Sequence, residues 1–173
     1  DVHLQADYTD AAALQRMAQE CAAVTTEVEN VPAQSMAWLA QHVFVSPAAE
    51  CVAIAQDRIH EKTFLQQHGL ATAPFVALQS LTDCEQDLSA YLPAIIKTAR
   101  FGYDGKGQRT VYSAAEVQQA FIDFKQQPCV LEKRLDLALE VSVVLARNAA
   151  GQIASFPVSE NQHINGILHA SIV

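Results

Sequence analysis

The sequence lacks the features that mark several large classes of protein. No apolar stretch approaches the roughly 20 residues of a membrane-spanning helix, and no basic-plus-apolar signal segment opens the chain. The 11 basic residues are outnumbered by 19 acidic ones, and the resulting net charge of -8 disfavours binding to nucleic acid. The four cysteines form no C-x-x-C pair, which argues against a zinc knuckle or a redox dithiol. These absences predict a cytoplasmic protein with reduced cysteines that binds neither membranes nor nucleic acid.

Half of the 173 residues are apolar, enough for the core of one domain or two small ones. The first part alternates between helix and strand patterns. Asp10 is a predicted N-cap for a helix over 10–21, an apolar run at 22–26 suits a buried parallel strand, and Pro32 suits the first turn of a second helix. With another short strand at 43–45, this order predicts an α/β layer that ends at a boundary between residues 47 and 57.

After that boundary the patterns predict an α+β unit. Asp57 is a predicted N-cap of a helix that begins at Arg58 and stops at Gly69. Ser113, with Glu116 three residues later, has the pattern of a capping box. Residues 148–151 suit a hairpin turn. Strands are predicted at 75–78, 94–98, 109–112, 130–133, 140–146 and 152–158, and helices at 82–90 and 113–126.

The strongest chemical signal is a loop rich in glycine that follows an apolar strand. The strand delivers Lys97, and the loop contains Gly102, Gly105, Lys106 and Gly107. Glycines let several backbone N–H groups approach a polyphosphate, and lysines add positive charge for the phosphate oxygens. The spacing is not that of a P-loop. The loop on its own is equally compatible with an ordinary hairpin turn, because Asp-Gly is a common turn dipeptide.

Three further polar positions lie at strand or helix ends. Glu132, at the end of a strand, is placed to accept a hydrogen bond from an adenine amino group, and Glu140 to accept ribose hydroxyls. His163, in a predicted polar loop over 160–169, is a candidate phosphate ligand, and Arg58 is another at a helix start. Taken singly, each also has an ordinary interpretation as a solvated surface charge or a surface histidine.

The order of these segments carries a resemblance to a known family. Glu27-Val28-Glu29-Asn30-Val31-Pro32, Gln56-Asp57-Arg58, Lys97-Thr98 with Gly102-Tyr103-Asp104-Gly105-Lys106-Gly107-Gln108, and Glu160-Asn161-x-His163-x-x-Gly166-Ile167-Leu168 follow one another along the chain. Together they resemble the N5-carboxyaminoimidazole ribonucleotide synthases, which are ATP-grasp enzymes. The resemblance implies the C-terminal part of a Rossmann-like pre-ATP-grasp domain at 1–50, followed at 51–173 by an ATP-grasp domain truncated at its C-terminal end.

The resemblance also implies roles for individual residues. Those implied to line the ATP site are Arg58, Lys97, Gly102, Tyr103, Asp104, Gly105, Lys106, Gly107, Gln108, Glu132, Lys133, Arg134, Leu135, Glu140 and His163. Tyr103, Asp104, Lys106 and His163 are the implied catalytic residues, and Glu29 is the implied contact of the aminoimidazole substrate. The implied reaction uses ATP and bicarbonate, through carboxyphosphate, to carboxylate aminoimidazole ribonucleotide in purine biosynthesis. The implied assembly is a homodimer.

Some parts of the family pattern are missing from the sequence. The acidic residues and asparagine that would bind Mg²⁺ are expected outside it, as is the basic patch for the substrate phosphate, so these 173 residues alone are not expected to turn over. Rival interpretations are a formate-dependent glycinamide ribonucleotide transformylase, a biotin carboxylase, or a nucleotide-binding module without catalysis. The assignment requires the Lys97 ammonium to face a cleft shared with Glu132, and an ammonium in bulk solvent would refute it.

Overall fold

The N-terminal part of the chain forms a small α/β layer. The structure is a computed structural model, and it describes residues 2–102, 107–164 and 167–173. Two helices alternate with two parallel strands in this layer: α1 (Ala11–Glu20), β1 (Ala23–Val24), α2 (Ala33–Leu39) and β2 (Phe44–Val45). Asp10 caps α1 by accepting a hydrogen bond of 2.8 Å from the N–H of Ala13. The predicted strand–helix order is confirmed, although Pro32 occupies the N-cap of α2 rather than its first turn.

Two helices lead from this layer to the main sheet: α3 (Ala49–Ala55) and α4 (Arg58–Gln67). The Asp57 carboxylate accepts hydrogen bonds from the N–H groups of Ile59 and His60, at 2.9 and 3.2 Å, and so begins α4 as predicted. The chain leaves the helix at Gly69, whose φ of 73° is in the left-handed region that glycine adopts without strain. Asp57 therefore determines where α4 starts, and so where Arg58, the first residue of the helix, is placed.

A four-stranded antiparallel sheet forms the core of the molecule, with strand order β3-β6-β4-β5. Its strands are β3 (Phe75–Leu78), β4 (Ala94–Thr98), β5 (Gln108–Val111) and β6 (Cys129–Lys133). Helix α5 (Ala114–Asp123) covers one face, where Ile96, Leu131 and Phe121 are completely buried. Residues alternate between faces along a strand, so Lys97 and Glu132 project from the opposite face. That second face carries the polar groups described below.

The predicted helix at 82–90 is wrong, because the segment forms two short 3₁₀ turns, Thr82–Glu85 and Ser89–Tyr91. The Asp83 carboxylate accepts a hydrogen bond from the N–H of Gln79 at 2.7 Å, and the Asp87 carboxylate accepts one from the N–H of Ser89 at 3.0 Å. These bonds occupy backbone groups near both turns and offer the chain an alternative to a continuous α-helix. The capping box at Ser113 is half correct, since Glu116 accepts from the N–H of Tyr112 rather than of Ser113.

The last forty residues form two small sheets. The strand predicted at 140–146 divides into β7 (Glu140–Ser142) and β8 (Leu145–Arg147). β8 pairs with β9 (Ile153–Ser155) across the hairpin turn predicted at 148–151. The polar loop predicted at 160–169 is wrong: it contains β10 (Ser159–Ile164) and the start of β11 (Ile167–Ile172), which pair antiparallel. Its polar side chains bond across strands, as Ser171 does to the Asn161 side chain at 2.9 Å.

The two C-terminal sheets differ from the main sheet in burial. None of the described residues after residue 133 is buried, and large apolar side chains such as Val144, Ile153, Phe156 and Leu168 are more than half exposed. None of the described helices has the length and hydropathy needed to cross a membrane. Of the cysteines, Cys84 and Cys129 are buried and reduced, whereas Cys21 and Cys51 are reduced but exposed.

Candidate functional site

The centre of the candidate site is a carboxylate between two lysines on the polar face of the main sheet. β4 and β6 pair antiparallel with Ile95 opposite Glu132 and Lys97 opposite Val130, so Lys97 and Glu132 are diagonal neighbours on one face. The Lys97 ammonium lies 3.0 Å from Glu132 Oε2, and the Lys62 ammonium of α4 lies 3.3 Å from Glu132 Oε1. Both oxygens of the carboxylate are therefore paired with lysine.

The three charged side chains have little access to solvent. The side chains are 25% exposed for Lys97, 15% for Lys62 and 11% for Glu132. Lys62 Nζ also lies 5.5 Å from the centre of the Phe75 ring, a cation–π contact that covers it on another side. The Lys97 ammonium is therefore paired with Glu132 rather than free in bulk solvent. The cluster carries one net positive charge, which makes it suited to an anionic ligand.

Lys62 is not among the site residues predicted from the sequence, although its spacing from Arg58 on α4 points to it. Arg58 and Lys62 are four residues apart on α4, so they share a helix face, and Arg58 is a predicted site residue. Lys62 lies one helical turn after Arg58 on that face. What the sequence does not reveal is that this helix face packs over β6, because that contact joins residues 70 positions apart.

Arg58 supports the entry of the glycine-rich loop. Its guanidinium donates from Nη1 to the carbonyl oxygen of Thr98 at 2.9 Å and from Nη2 to that of Gly102 at 3.2 Å. Its backbone N–H also donates to the carbonyl oxygen of Ala99 at 2.9 Å. Arg58 thus lies beside the loop, where its side chain bonds to the backbone carbonyls of Thr98 and Gly102.

The far end of the loop returns to β5 through a glycine that no other residue can replace without strain. Gly107 has φ of +70°, and a Cβ built on it would lie 2.6 Å from the Thr98 hydroxyl oxygen. Its carbonyl accepts a 2.8 Å hydrogen bond from the N–H of Thr98, and Gln108 pairs with Lys97 in the ladder. β4 and β5 therefore form a β-hairpin around this loop. The Asp104-Gly105 dipeptide that suggests a tight turn lies outside the described part of the chain. The predicted residues Tyr103, Asp104, Gly105 and Lys106 lie outside the described part of the chain.

The predicted adenine-binding hinge, Glu132 to Leu135, keeps few free backbone donors. The N–H of Lys133 donates to Pro74 at 2.8 Å, and the N–H of Arg134 donates to Pro93 at 2.9 Å. The Lys133 ammonium reaches a backbone carbonyl at 3.2 Å, and Leu135 is about half exposed. An adenine that accepts a hydrogen bond from this hinge would have to use a backbone N–H beyond Arg134, because those of Lys133 and Arg134 are already bonded.

Glu140 and His163 are brought together on the neighbouring sheet. β7 and β10 pair with Glu140 opposite Asn161, and His163 Nε2 lies 3.4 Å from Glu140 Oε1. The Asn161 amide also donates to that oxygen, at 3.3 Å. Among the residues described, no hydrogen bond or ion pair joins this group to Lys97 or Glu132. Two groups of predicted site residues therefore lie on separate sheets.

Glu29 lies apart from these groups, in the lining of a cleft. The cleft has a volume of about 310 Å³ and lies between residues 26–29 and the α3 region, with Glu27, Glu29, Pro47 and Val52 in its lining. The backbone on either side of Asn30 is held by Gln56, which donates to the carbonyl of Glu29 at 2.6 Å and to that of Val31. Gln56 is also missing from the predicted site residues.

The described residues do not fit a Mg²⁺ site of their own. Within residues 2–102, 107–164 and 167–173, no three carboxylate, histidine or cysteine side chains come close enough together to hold a metal ion. Mg²⁺ prefers several oxygen ligands in octahedral geometry, and Glu132 already has lysine on both oxygens. No chemical step through a metal is therefore derived from these residues.

Comparison with known proteins was made on both sequence and structure. Residues 63–173 match the family model of the ATP-grasp domain, and residues 1–56 match that of the ribonucleotide synthetase preATP-grasp domain. The N5-carboxyaminoimidazole ribonucleotide synthase of Pseudomonas aeruginosa is 41% identical over 171 residues, which are 98% of this chain and 48% of that protein.

Two solved structures are similar over nearly the whole chain. An N5-carboxyaminoimidazole ribonucleotide synthetase in its ADP complex is 34% identical with a TM-score of 0.92, covering 100% of this chain and 46% of its own. The Staphylococcus aureus N5-carboxyaminoimidazole synthetase complexed with ADP is 35% identical, with a TM-score of 0.89. The match covers 95% of this chain and 44% of that structure's chain. The chain thus spans about half the length of the relatives it matches.

Proposed function

Because this chain belongs to the ATP-grasp family, we propose that it is the nucleotide-binding part of an N5-carboxyaminoimidazole ribonucleotide synthase. Its matches over the whole length to synthases of that name, two of them solved with ADP, support the proposal. The reaction proposed is the ATP-dependent carboxylation of aminoimidazole ribonucleotide by bicarbonate, through carboxyphosphate, with release of ADP and phosphate. The substrate amine captures the carbon dioxide that carboxyphosphate delivers.

The observation that carries the proposal is the Lys97 ammonium held against Glu132, with both side chains largely shielded from solvent. A bicarbonate that attacks a γ-phosphate brings two anions together, and fixed positive charge lowers the cost of that approach. Lys97 lies just before the glycine-rich loop and is held there by an ion pair with Glu132, at 3.0 Å. A phosphate that enters would take Lys97 as its own partner, while Lys62 stays with Glu132.

The loop entry has a second role in this scheme. Carboxyphosphate decomposes in water, so the site that makes it has to exclude solvent. The guanidinium of Arg58 holds the carbonyls of Thr98 and Gly102, and the Gly107 carbonyl is bonded to the N–H of Thr98. Both ends of the glycine-rich segment are thereby anchored to one strand end, which suits a cover that closes over a bound triphosphate.

Glu29 is proposed to contact the aminoimidazole substrate. It lines a cleft of about 310 Å³, a volume that accommodates a small ring. The cleft also contains Glu27, so its wall is acidic and suits the amine and ring hydrogens of an aminoimidazole. None of the described residues that line this cleft is a cation, and the substrate phosphate is therefore proposed to bind outside it.

The test is an assay of ADP release by the natural polypeptide that carries this sequence. We expect release to require both bicarbonate and aminoimidazole ribonucleotide. Formate with glycinamide ribonucleotide, or biotin in place of the ribonucleotide, should not support it. Release that depends on formate or on biotin instead would contradict the proposal. Residues 1–173 on their own are expected to bind nucleotide without turnover, and bicarbonate-dependent turnover by that piece would disprove this.

Nucleotide binding is tested separately by calorimetry with ATP. Replacing Lys97 by alanine removes a charge-assisted hydrogen bond to phosphate, and we expect affinity to fall by about tenfold to a hundredfold. Arg16→Ala is the matched control, because it removes an exposed cation on α1. Equal affinities of Lys97→Ala and the unmodified chain would remove Lys97 from the site.

A further inference from the structure

Gln56 is a buried amide at the junction of the two parts of the chain. It stands at the C-cap of α3 and is only 6% exposed. Its Nε2 donates to the carbonyl oxygens of Glu29, at 2.6 Å, and Val31, and its Oε1 accepts from Arg100 Nη2 at 3.2 Å. One side chain therefore connects the segment that follows β1 to the loop that follows β4.

The orientation of this amide is determined by its partners. Two carbonyl oxygens face one end and a guanidinium faces the other, so only Nε2 toward the carbonyls and Oε1 toward Arg100 gives favourable contacts. A flipped amide would put its oxygen against two oxygens and its NH₂ against a cation. Each end of the amide can bond to only one type of partner. Gln56 therefore connects two specific parts of the chain in one orientation, rather than merely filling a polar space.

Two of the three partners of Gln56 belong to the two candidate substrate sites. Glu29 lines the acidic cleft, and its own carbonyl is the one that Gln56 holds. Arg100 lies between Thr98 and Gly102, the two residues whose carbonyls bind Arg58 at the entry of the glycine-rich loop. A displacement of Gln56 would therefore shift the acidic cleft relative to the loop, by breaking the connection between them.

We propose that Gln56 is a positioning residue that holds the Glu29–Val31 backbone in register with the glycine-rich loop, so that the amine of the ribonucleotide meets the carboxylating intermediate. This inference rests on the function proposed above. Gln56 itself touches no substrate in this scheme; it acts through Glu29 and Arg100. Loss of the link should leave ATP activation possible but let the activated carboxyl group escape capture.

The experiment compares ADP released with carboxylated product formed, in the natural polypeptide. Gln56→Leu removes both ends of the link, and Gln56→Glu keeps an acceptor for Arg100 while losing both donors to the carbonyls. We expect both variants to release ADP in excess of product. Their KM for the aminoimidazole ribonucleotide should rise by about tenfold, the effect of one lost buried hydrogen bond. Their KM for ATP should change by less than about twofold.

Arg100→Met tests the other end of the link without altering Gln56. It should also raise the ratio of ADP released to product formed. The double variant Gln56→Leu with Arg100→Met should raise this ratio no further than the stronger single variant does, because both changes break the same connection. Gln66→Leu, an exposed glutamine on α4, is the control that should leave the ratio unchanged. If the Gln56 variants do not fold, Arg100→Met alone decides the inference.

The outcomes separate the two levels of inference. If the unmodified protein releases ADP without needing bicarbonate and the aminoimidazole ribonucleotide, the proposed function fails, and this inference fails with it. If the unmodified protein behaves as proposed but Gln56→Leu, Gln56→Glu and Arg100→Met keep ADP and product equal, only the inference is overturned. A smaller amount of active protein with an unchanged ratio would likewise overturn it, because that result identifies a purely structural role.

Discussion

Replacing Glu132 by glutamine tests the electrostatics of the candidate site most directly. The change keeps the shape of the side chain but removes the one negative charge that faces both Lys62 and Lys97, at 3.3 and 3.0 Å. The two ammonium groups would then face each other across a neutral amide. Removing one partner of a fully buried ion pair costs about 3–5 kcal/mol, because the other charge stays buried without compensation.

The cost here should be smaller, since both lysines retain some contact with water. With side chains 15% and 25% exposed, Lys62 and Lys97 can turn partly toward solvent, and we expect a loss of about 2–3 kcal/mol. Lys62→Met added to Glu132→Gln removes one of the two unpaired charges and should restore part of that loss. The coupling of the two changes follows from their direct contact.

The assay is native-state hydrogen exchange of the amides in β4 and β6. A protein of several units has no single unfolding free energy, whereas exchange reports the local opening of one sheet. A loss of about 2–3 kcal/mol corresponds to exchange faster by roughly 30- to 150-fold. Asp123→Asn, which removes the exposed partner of Arg109 on the same unit, is the control and should change exchange little. Protection in Glu132→Gln equal to that of the unmodified protein would refute the reasoning.

Three further predictions concern stability and reactivity. Gly107→Ala should weaken the β4–β5 hairpin by about 1–3 kcal/mol in hydrogen exchange, because φ is +70° and the new methyl would lie 2.6 Å from the Thr98 hydroxyl. Burial, with a smaller effect of a second cysteine nearby, raises the pKa of the Cys129 thiol to about 12, so iodoacetamide at neutral pH should label the exposed cysteines and spare Cys129, as read by mass spectrometry. Hydrogen bonds, chiefly that donated by the N–H of Gln79, hold the pKa of Asp83 below its usual 3.8. The stability that the ionised carboxylate contributes is therefore present above pH 3.8 and is lost as the pH falls through the lowered pKa. Asp83→Asn should accordingly flatten the acid limb of a curve of Tm against pH.

Local capping was the most predictable part of the fold. Asp10, Asp57 and Ser113 each accept a hydrogen bond from the first turn of the helix they precede, an interaction that spans three residues or fewer and is legible in sequence. The 82–90 segment was misread for a related reason. Asp83 and Asp87 bond to backbone groups just as caps do, and this favours turns over one helix.

Strand pairing was less predictable, because partners lie far apart in the chain. Residues 160–169 are polar enough to suggest a loop, but Asn161 satisfies its side chain through Glu140 on β7 and Ser171 on β11. The break between β7 and β8 has the same origin, since β7 pairs with β10 while β8 pairs with β9. Neither choice of partner is written in the local pattern of apolar residues.

For the candidate site, the sequence indicated the chemical groups but not their arrangement. Lys97, Arg58 and Glu132 were predicted individually, each with a role toward nucleotide. That Glu132 is a bridge between lysines depends on the β4–β6 register and on the packing of α4, both of which join distant residues. Gln56 was missed because an uncharged amide at a helix end has no distinctive pattern, and its importance comes only from its three partners.

The exposed apolar side chains of β7 to β11 have a practical consequence for work on this polypeptide. Strands that present Leu145, Ile153 and Leu168 to water on open sheet edges are surfaces that can pair with a neighbouring molecule. A sample limited to residues 1–173 should therefore self-associate as its concentration rises, and light scattering would detect this. In calorimetry with ATP, dilute samples and a control titration without nucleotide would separate the heat of ligand binding from the heat of self-association.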